Sequence, residues 1–505
     1  MQEHADSFPS LKILTDDNSG VFTYLLSLLS TFTGVRLEAV GGGSPAFDLT
    51  YGTPPGLPEV TPHIPKIDKY DGGNIPLLDD YEFILSGDIP LNADLGFDIV
   101  TAMRFWLLDE AHADYGKDML DEHGRIPALN SLQYRLKILE KPLVNRYVLV
   151  FSRWLEKHFD VQTRPFLPEG CKAAVILSHD VDQVSHLNIR HRMKMLEGAL
   201  RRMRVGEAAA RLAGLELQFL KKAAGSEEDF WMFPHVMAAE KKLGLRSTWF
   251  FASRSNLDDK SEHALDVDYT IDTPRFAELF RTLRAEGFEI GLHASYNAAA
   301  AELFSEEKKL LEKFTGGAIN GLRHHFWRVG HPFWNTLQAH AAAGFEYDTS
   351  LGFNDRPGLR LSCALPFRPY DHSKKTALPI LQIPSAVMDG NYFYQKGMSA
   401  ARAVSEMRSF VEELKRHRGV AAINWHNRTS YPGNATYAEL GKAYLEIIEM
   451  LAGDQEIFVG SFRQFIDALP PDPCAPRKEA PAPGVIVVSN EHLYGELQRQ
   501  WARHD

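Results

Sequence analysis

The stretch from Ala173 to His186, "AAVILSHDVDQVSH", carries six mostly apolar residues straight into His179-Asp180-Val181-Asp182. A run of this kind reads as a buried strand. It ends in two carboxylates and an imidazole, groups that are costly to desolvate unless something binds them. The same texture recurs downstream in "RSTWFF", "FEIGLH", "NGLRHH", "FEYDTS", "LQIPSAV", "VAAINWH" and "EIFVGS". Helical segments fit between several of these. In "TPRFAELFRTLRAEG" Thr273 is placed to cap and Pro274 to fill the first turn. Around "SEEKKLLEKFTGG" Ser305 is the expected cap and Gly316 the expected stop. Strands alternating with helices imply a parallel sheet, and about eight of them imply a barrel related to the (β/α) type.

The rest of the 505-residue chain is organised around this repeat. With 44% hydrophobic and 24% charged residues it has the composition of a soluble globular protein, and its length suits roughly two to three domains. Residues 1–165 mix Pro- and Gly-rich stretches with helical ones such as "VFTYLLSLLSTF", "FDIVTAMRFWLLDEAH" and "LVNRYVLVFSRWLEKHF", and read as a smaller α+β domain. The barrel is expected over 170–467, with a locally basic helical insertion at 190–228 that reads first as a solvated excursion. A Pro-rich linker and a polar helix fill 468–505. The net charge of −11 gives no global field for nucleic acid. Cys171, Cys363 and Cys474 are too scattered for a disulfide framework or a cysteine zinc site. The polar N-terminus has no secretory pattern, and Val21 to Phe32 is too short to span a bilayer. No transmembrane segment and a cytoplasmic setting are therefore the expectation.

In parallel α/β folds, reacting groups sit at the C-terminal ends of strands. Here those ends supply His179, Asp180 and Asp182, then His293, then Arg323, His324 and His325, then Tyr347 and Asp348, then His426. Each alone has an ordinary explanation, a hydrogen-bonded core histidine or a capping aspartate. Together they form a site. One aspartate with two histidines suits a divalent ion such as Zn²⁺, with Co²⁺ or Ni²⁺ as other occupants. A second aspartate nearby suits a general base, an arginine would hold it ionised, and a further histidine suits a general acid. The chemistry implied is metal-assisted hydrolysis of an acyl bond.

These residues carry a family resemblance. "ILSHDVD", "RSTWFF", "GFEIGLHASYNA", "GLRHHFWR" and "AINWHN" resemble, in order, the motifs of the polysaccharide deacetylase family, carbohydrate esterase family 4, with the NodB-homology fold. The stretch "DEHGRIPALNSLQYRL" resembles a domain that precedes some bacterial members. The resemblance implies a distorted (β/α) barrel and a deacetylase acting on an N-acetylated sugar or glycan. It implies Asp180 as base, Asp182 and His293 as metal ligands, Arg323 as the partner of Asp180, and His426 as general acid. This sequence departs from the family at Asn297, where a second ligand histidine is usual. His325 is the expected replacement, since strand alternation puts it on the face of Arg323 and turns His324 and His179 away. Asp348 or Asp355 is a candidate contact to sugar hydroxyls or to Arg323, a capping role being the other reading. Met388, Asp389 and Tyr392 are candidates to line an acetyl pocket. Two other readings stay open: a metal-independent hydrolase of cyclic amides or ureides on the same fold, and a non-catalytic glycan-binding relative.

Overall fold

The computed structural model describes residues 8–41, 44, 46–52, 61–184, 230–255, 265–267, 269–393, 397–433 and 437–474. The insertion expected at 190–228 and the helix expected beyond 475 lie outside them. The chain opens with β1 (Ser10–Leu14), β2 (Arg36–Val40), β3 (Leu49–Tyr51) and β4 (His63–Ile64), a parallel sheet in the order β2-β1-β3-β4. The apolar run at Val21 to Phe32 lies within the helix Gly20–Thr33. Ser19 caps it by accepting from the Phe22 N–H, and Gly34 ends it at φ 70°, where only glycine is at ease. Helices Ile99–Leu107 and Leu143–His158 pack with it.

All eight strands read from the downstream sequence are present: β5 (Ala173–Val181), β6 (Thr248–Phe251), β7 (Glu289–Ala294), β8 (Gly321–His324) and β9 (Tyr347–Asp348) come first. A small hairpin, β10 (Tyr370–Asp371) and β11 (Thr376–Ala377), precedes β12 (Leu381–Gln382), β13 (Ser385–Met388), β14 (Val420–Asn424) and β15 (Ile457–Gly460). Apart from the hairpin, these strands form a nine-stranded parallel sheet in the order β12-β9-β8-β7-β6-β5-β14-β13, with β15 beside β5. The expected strand "LQIPSAV" is divided at Pro384, whose missing N–H suits a change of ladder partner. Ile383 N–H bonds the Asp348 carbonyl at 2.9 Å, and Ala422 N–H bonds the Pro384 carbonyl at 2.8 Å. One segment thus joins both edges of the sheet, which makes it a distorted (β/α) barrel.

Alternation along β5 sorts its side chains. Ala174 and Ile176 belong to the inner core with Phe250, Tyr347 and Ala422, while Val175, Leu177 and Val181 pack outward beneath the helices. Ser178 and Asp180 continue the inner row and His179 the outer. Gly291 and Gly321 admit the Phe250 and Tyr347 rings, which a Cβ at either position would strike at 2.4 and 1.8 Å. Helix Pro274–Ala285 starts as expected, with Thr273 accepting from the Phe276 N–H. Ser305 is not a cap. The helix begins at Ala301, because buried Phe304 draws the first turn into the core, and it ends at Gly316 as expected. No helix among the described residues is long and apolar enough to cross a membrane.

The N-terminal region is clasped to the barrel by buried polar contacts. Arg360 grips Asp109 with two hydrogen bonds, of 2.9 and 2.8 Å, and the Asn145 side chain bonds the His417 carbonyl and the Ala364 N–H. Burial pushes the Asp109 carboxyl up, but Arg360 and then His112 outweigh it and hold it well below the usual carboxylate value. Arg360→Met is expected to cost about 3–5 kcal/mol in urea denaturation, because it removes the two-pronged cation from a buried carboxylate and leaves it only His112, 2.6 Å away, as its close partner. A carboxyl held low contributes stability above its unfolded pKa, so this contribution is expected at neutral pH and is lost on acidification below the ordinary carboxylate range.

Candidate active site

Because the barrel strands run parallel, their C-terminal ends share one rim. Arg323, fully buried on β8, crosses the interior to β5, where its Nη1 donates to Asp180 Oδ1 and Ser178 Oγ, both at 2.9 Å. Its Nε donates to the Thr349 carbonyl at 3.2 Å, and its guanidinium stacks 4.6 Å from the Phe250 ring centre. Asn424, at the end of β14, donates to Asp180 Oδ2 at 2.7 Å and accepts from the Asp180 N–H at 3.1 Å. Burial raises the Asp180 carboxyl, while Arg323 and then His293 and His426 lower it, with a net shift below the ordinary value. The carboxylate is ionised and fixed.

Asp182 lies one step outward, and its two oxygens face opposite partners. Oδ1 lies 3.2 Å from His293 Nε2 and 3.7 Å from His325 Nε2. Oδ2 lies 3.2 Å from His426 Nε2 and accepts from Arg428 Nη1 at 3.1 Å. Burial would raise this carboxyl, but His426 and His293, with Arg428, hold it well below its usual value. For His293 burial works downward, and Asp180 and Asp182 reverse it to a net rise.

The donor set fits a divalent ion. Donor atoms of Asp182, His293 and His325 all lie within 4.8 Å of one another. Each imidazole has its other nitrogen engaged, His293 Nδ1 with the Arg323 carbonyl at 3.0 Å and His325 Nδ1 with Asp266 Oδ1 at 3.2 Å. Such partners fix the ring and direct the Nε2 lone pair, as the orienting contacts around metal ligands do. His325 reaches Asp182 from the turn after β8 rather than from the strand itself. Asn297 is exposed and does not line the pocket.

His426 stands on the other side of Asp182. Its Nδ1 pairs with Asp389 Oδ1 at 2.8 Å, and Asp389 Oδ2 accepts from the His426 N–H and the Thr429 hydroxyl. Burial would lower the imidazole, but Asp389 and then Asp182 push it up to about 10. Asp389 is thus the orienting partner of His426, fully buried, rather than the expected substrate contact. Asp348 is not a substrate contact: it is buried against His340 at 3.0 Å and accepts from Ser350, behind the site, because Tyr347 takes the inner position on β9 and alternation turns Asp348 toward the helix Trp334–Ala342. Tyr392 is buried in the core and does not line the pocket, since the short helix Asp389–Phe393 turns it inward. Asp355 caps the N–H groups of Ala128 and Leu129.

The pocket over these groups encloses about 290 Å³, with Phe326, Trp327, Asn354 and Met388 beside the polar cluster. A larger groove of about 1000 Å³, between Tyr134–Lys141 and the helix Ala400–Arg416, contains neither histidine nor aspartate and lacks such a constellation. His179 and His324 face away from the site, the first toward Glu240 and the second toward the Ser295 carbonyl. Sequence reasoning missed Asp266, Asn424 and Arg428. Asn424 and Arg428 flank His426 in "NWHNR", whereas Asp266 lies between strands, away from any strand end that would mark it.

A model for a family of unknown function, DUF7033, matches residues 61–160. No curated protein matches the chain. Similar solved structures include a candidate polysaccharide deacetylase from Mycobacterium smegmatis, 17% identical over 60% of this chain and 92% of that one, with a TM-score of 0.38. Puue allantoinase is 15% identical over 60% of this chain and 91% of its own, with a TM-score of 0.38. A candidate polysaccharide deacetylase from Pseudomonas aeruginosa PAO1 is 14% identical over 59% and 91%, also at 0.38.

The Asp389 charge is the largest influence raising His426. In chelator-treated protein, Asp389→Asn is expected to move the imidazole titration of His426 from about 10 down toward the ordinary histidine value, read by NMR. An unchanged titration would contradict the pairing.

Proposed function

We propose that this chain is a metal-dependent hydrolase that removes the N-acetyl, or O-acetyl, group of a sugar or glycoconjugate precursor. The observation that carries this reading is the division of labour around one pocket. An ionised aspartate braced by Arg323 stands beside the Asp182, His293 and His325 set, and a histidine paired with a buried carboxylate stands across from it. A divalent ion held by Asp182, His293 and His325, zinc being the first candidate, would polarise the acyl carbonyl and acidify a water.

Asp180 then takes the proton of the attacking water, and Arg323 keeps its carboxylate aimed and ionised before that step. His426, held protonated by Asp389, gives its proton to the departing amine or alkoxide, so the leaving group departs neutral. Phe326, Trp327 and Met388 supply an apolar wall suited to an acetyl methyl group and to exclusion of water.

One observation favours a second reading. Asp182 Oδ2 already has His426 and Arg428 as partners, so its charge is compensated without an ion. A metal-independent hydrolysis of cyclic amides or ureides would use the same base and acid.

Asp180→Asn is expected to lower acetate release from N-acetylated sugars by about 10²–10⁴-fold while the circular dichroism spectrum is unchanged. Hydrolysis at the wild-type rate in this variant would contradict the assignment of the base.

A further inference from the structure

The turn that presents His325 is held from outside the barrel. After β8 the chain makes a single turn in which Phe326 and Trp327 take φ of 60° and 51°, a left-handed conformation that non-glycine residues avoid. Such a conformation persists only where its surroundings over-determine it. Here the Phe326 carbonyl accepts from two side chains, Asn354 Nδ2 at 2.7 Å and Arg125 Nη1. Arg125 belongs to the N-terminal region. Its own guanidinium is fixed on Asp121 Oδ2 through Nε at 2.8 Å and Nη2 at 2.7 Å, while Asp121 Oδ1 accepts the N–H groups of His123 and Arg125, both at 2.9 Å.

Neighbouring residues brace the same turn. The His123 ring lies 4.8 Å from that of Phe326 and bonds the Tyr296 hydroxyl at 2.8 Å. Asp355, next to Asn354, accepts the N–H groups of Ala128 and Leu129 at 2.7 and 3.2 Å. Both donors to the Phe326 carbonyl are therefore steadied by one N-terminal segment.

We propose that residues 121–129 are a working part of the site, with Arg125 a positioning residue that sets His325 against Asp182 through the Phe326 carbonyl. The inference rests on the reading of Asp182, His293 and His325 as metal ligands, and it gives the region matching a family of unknown function a task in this chain. Contacts that orient a ligand imidazole typically change metal affinity by about 10–100-fold when removed.

The test uses the whole 505-residue chain as wild type, Arg125→Met and Arg135→Met, the last an exposed control on the same region. Two readouts are taken. Zinc affinity is measured by chelator competition, and hydrogen exchange is followed at the Arg328 and Val329 amides, which close the turn on the His325 and Trp327 carbonyls. Arg125→Met is expected to exchange faster at both amides and to bind zinc about 10–100-fold more weakly, with Arg135→Met at wild-type values. Exchange at the wild-type rate would overturn the proposal, and so would faster exchange with unaltered zinc affinity. A wild type that takes no zinc contradicts the metal reading of the site, and exchange alone then decides the role of Arg125. Should Arg125→Met fail to fold, Asp121→Asn, which releases the guanidinium without removing it, is judged by the same two readouts.

Discussion

A guanidinium with no exposure to solvent has to be answered by an anion or by enough acceptors to replace water. Arg323 meets that constraint inside the barrel by binding Asp180, Ser178 and Thr349 at once, over the face of Phe250. Much else follows from it. The contact ties β8 to β5 across the interior, fixes the rotamer of the proposed base, and stations the Arg323 carbonyl where it receives His293 Nδ1. One buried ion pair thereby orients both the base and a proposed ligand.

The site is assembled by topology more than by proximity in sequence. A parallel sheet delivers the ends of β5, β7, β8 and β14 to one rim, and alternation decides which of two adjacent polar residues faces inward. Asp180, His293, Arg323 and Asn424 all lie on the inner row, whereas His179 and His324 lie on the outer row with hydrogen-bond partners of their own. The segment 381–388 completes the barrel by pairing at both sheet edges, and it leads directly into Asp389 beneath His426.

Much of this was legible in the residues. Apolar runs located the strands of the barrel, though "LQIPSAV" reads as one strand where β12 and β13 are two, and alternation turned His324 away while His325 arrives from the turn beyond the strand. The rest depended on which face a short strand presents or on contacts between distant segments. Asp348 stands at a strand end, but Tyr347 takes the inner position on β9 and leaves Asp348 the outer one, against His340 on the adjacent helix. Asp389 reads from the sequence as a pocket residue, whereas its bond to His426 forms only once β13 and β14 are paired. Asp266 and the hold of Arg125 on the Phe326 carbonyl join parts of the chain that no local pattern connects. Ser305 looked like a cap because a serine before a charged run often is one, but the buried Phe304 before it belongs to the helix.

The central claim is that His325, not residue 297, completes a metal site with Asp182 and His293. Elemental analysis of protein purified without chelator, as wild type, His325→Ala and Asn297→Ala, addresses it directly. About one divalent ion per chain is expected in the wild type and in Asn297→Ala, and little in His325→Ala. Metal lost from Asn297→Ala and kept by His325→Ala, or absent from the wild type even after zinc is supplied, would contradict it.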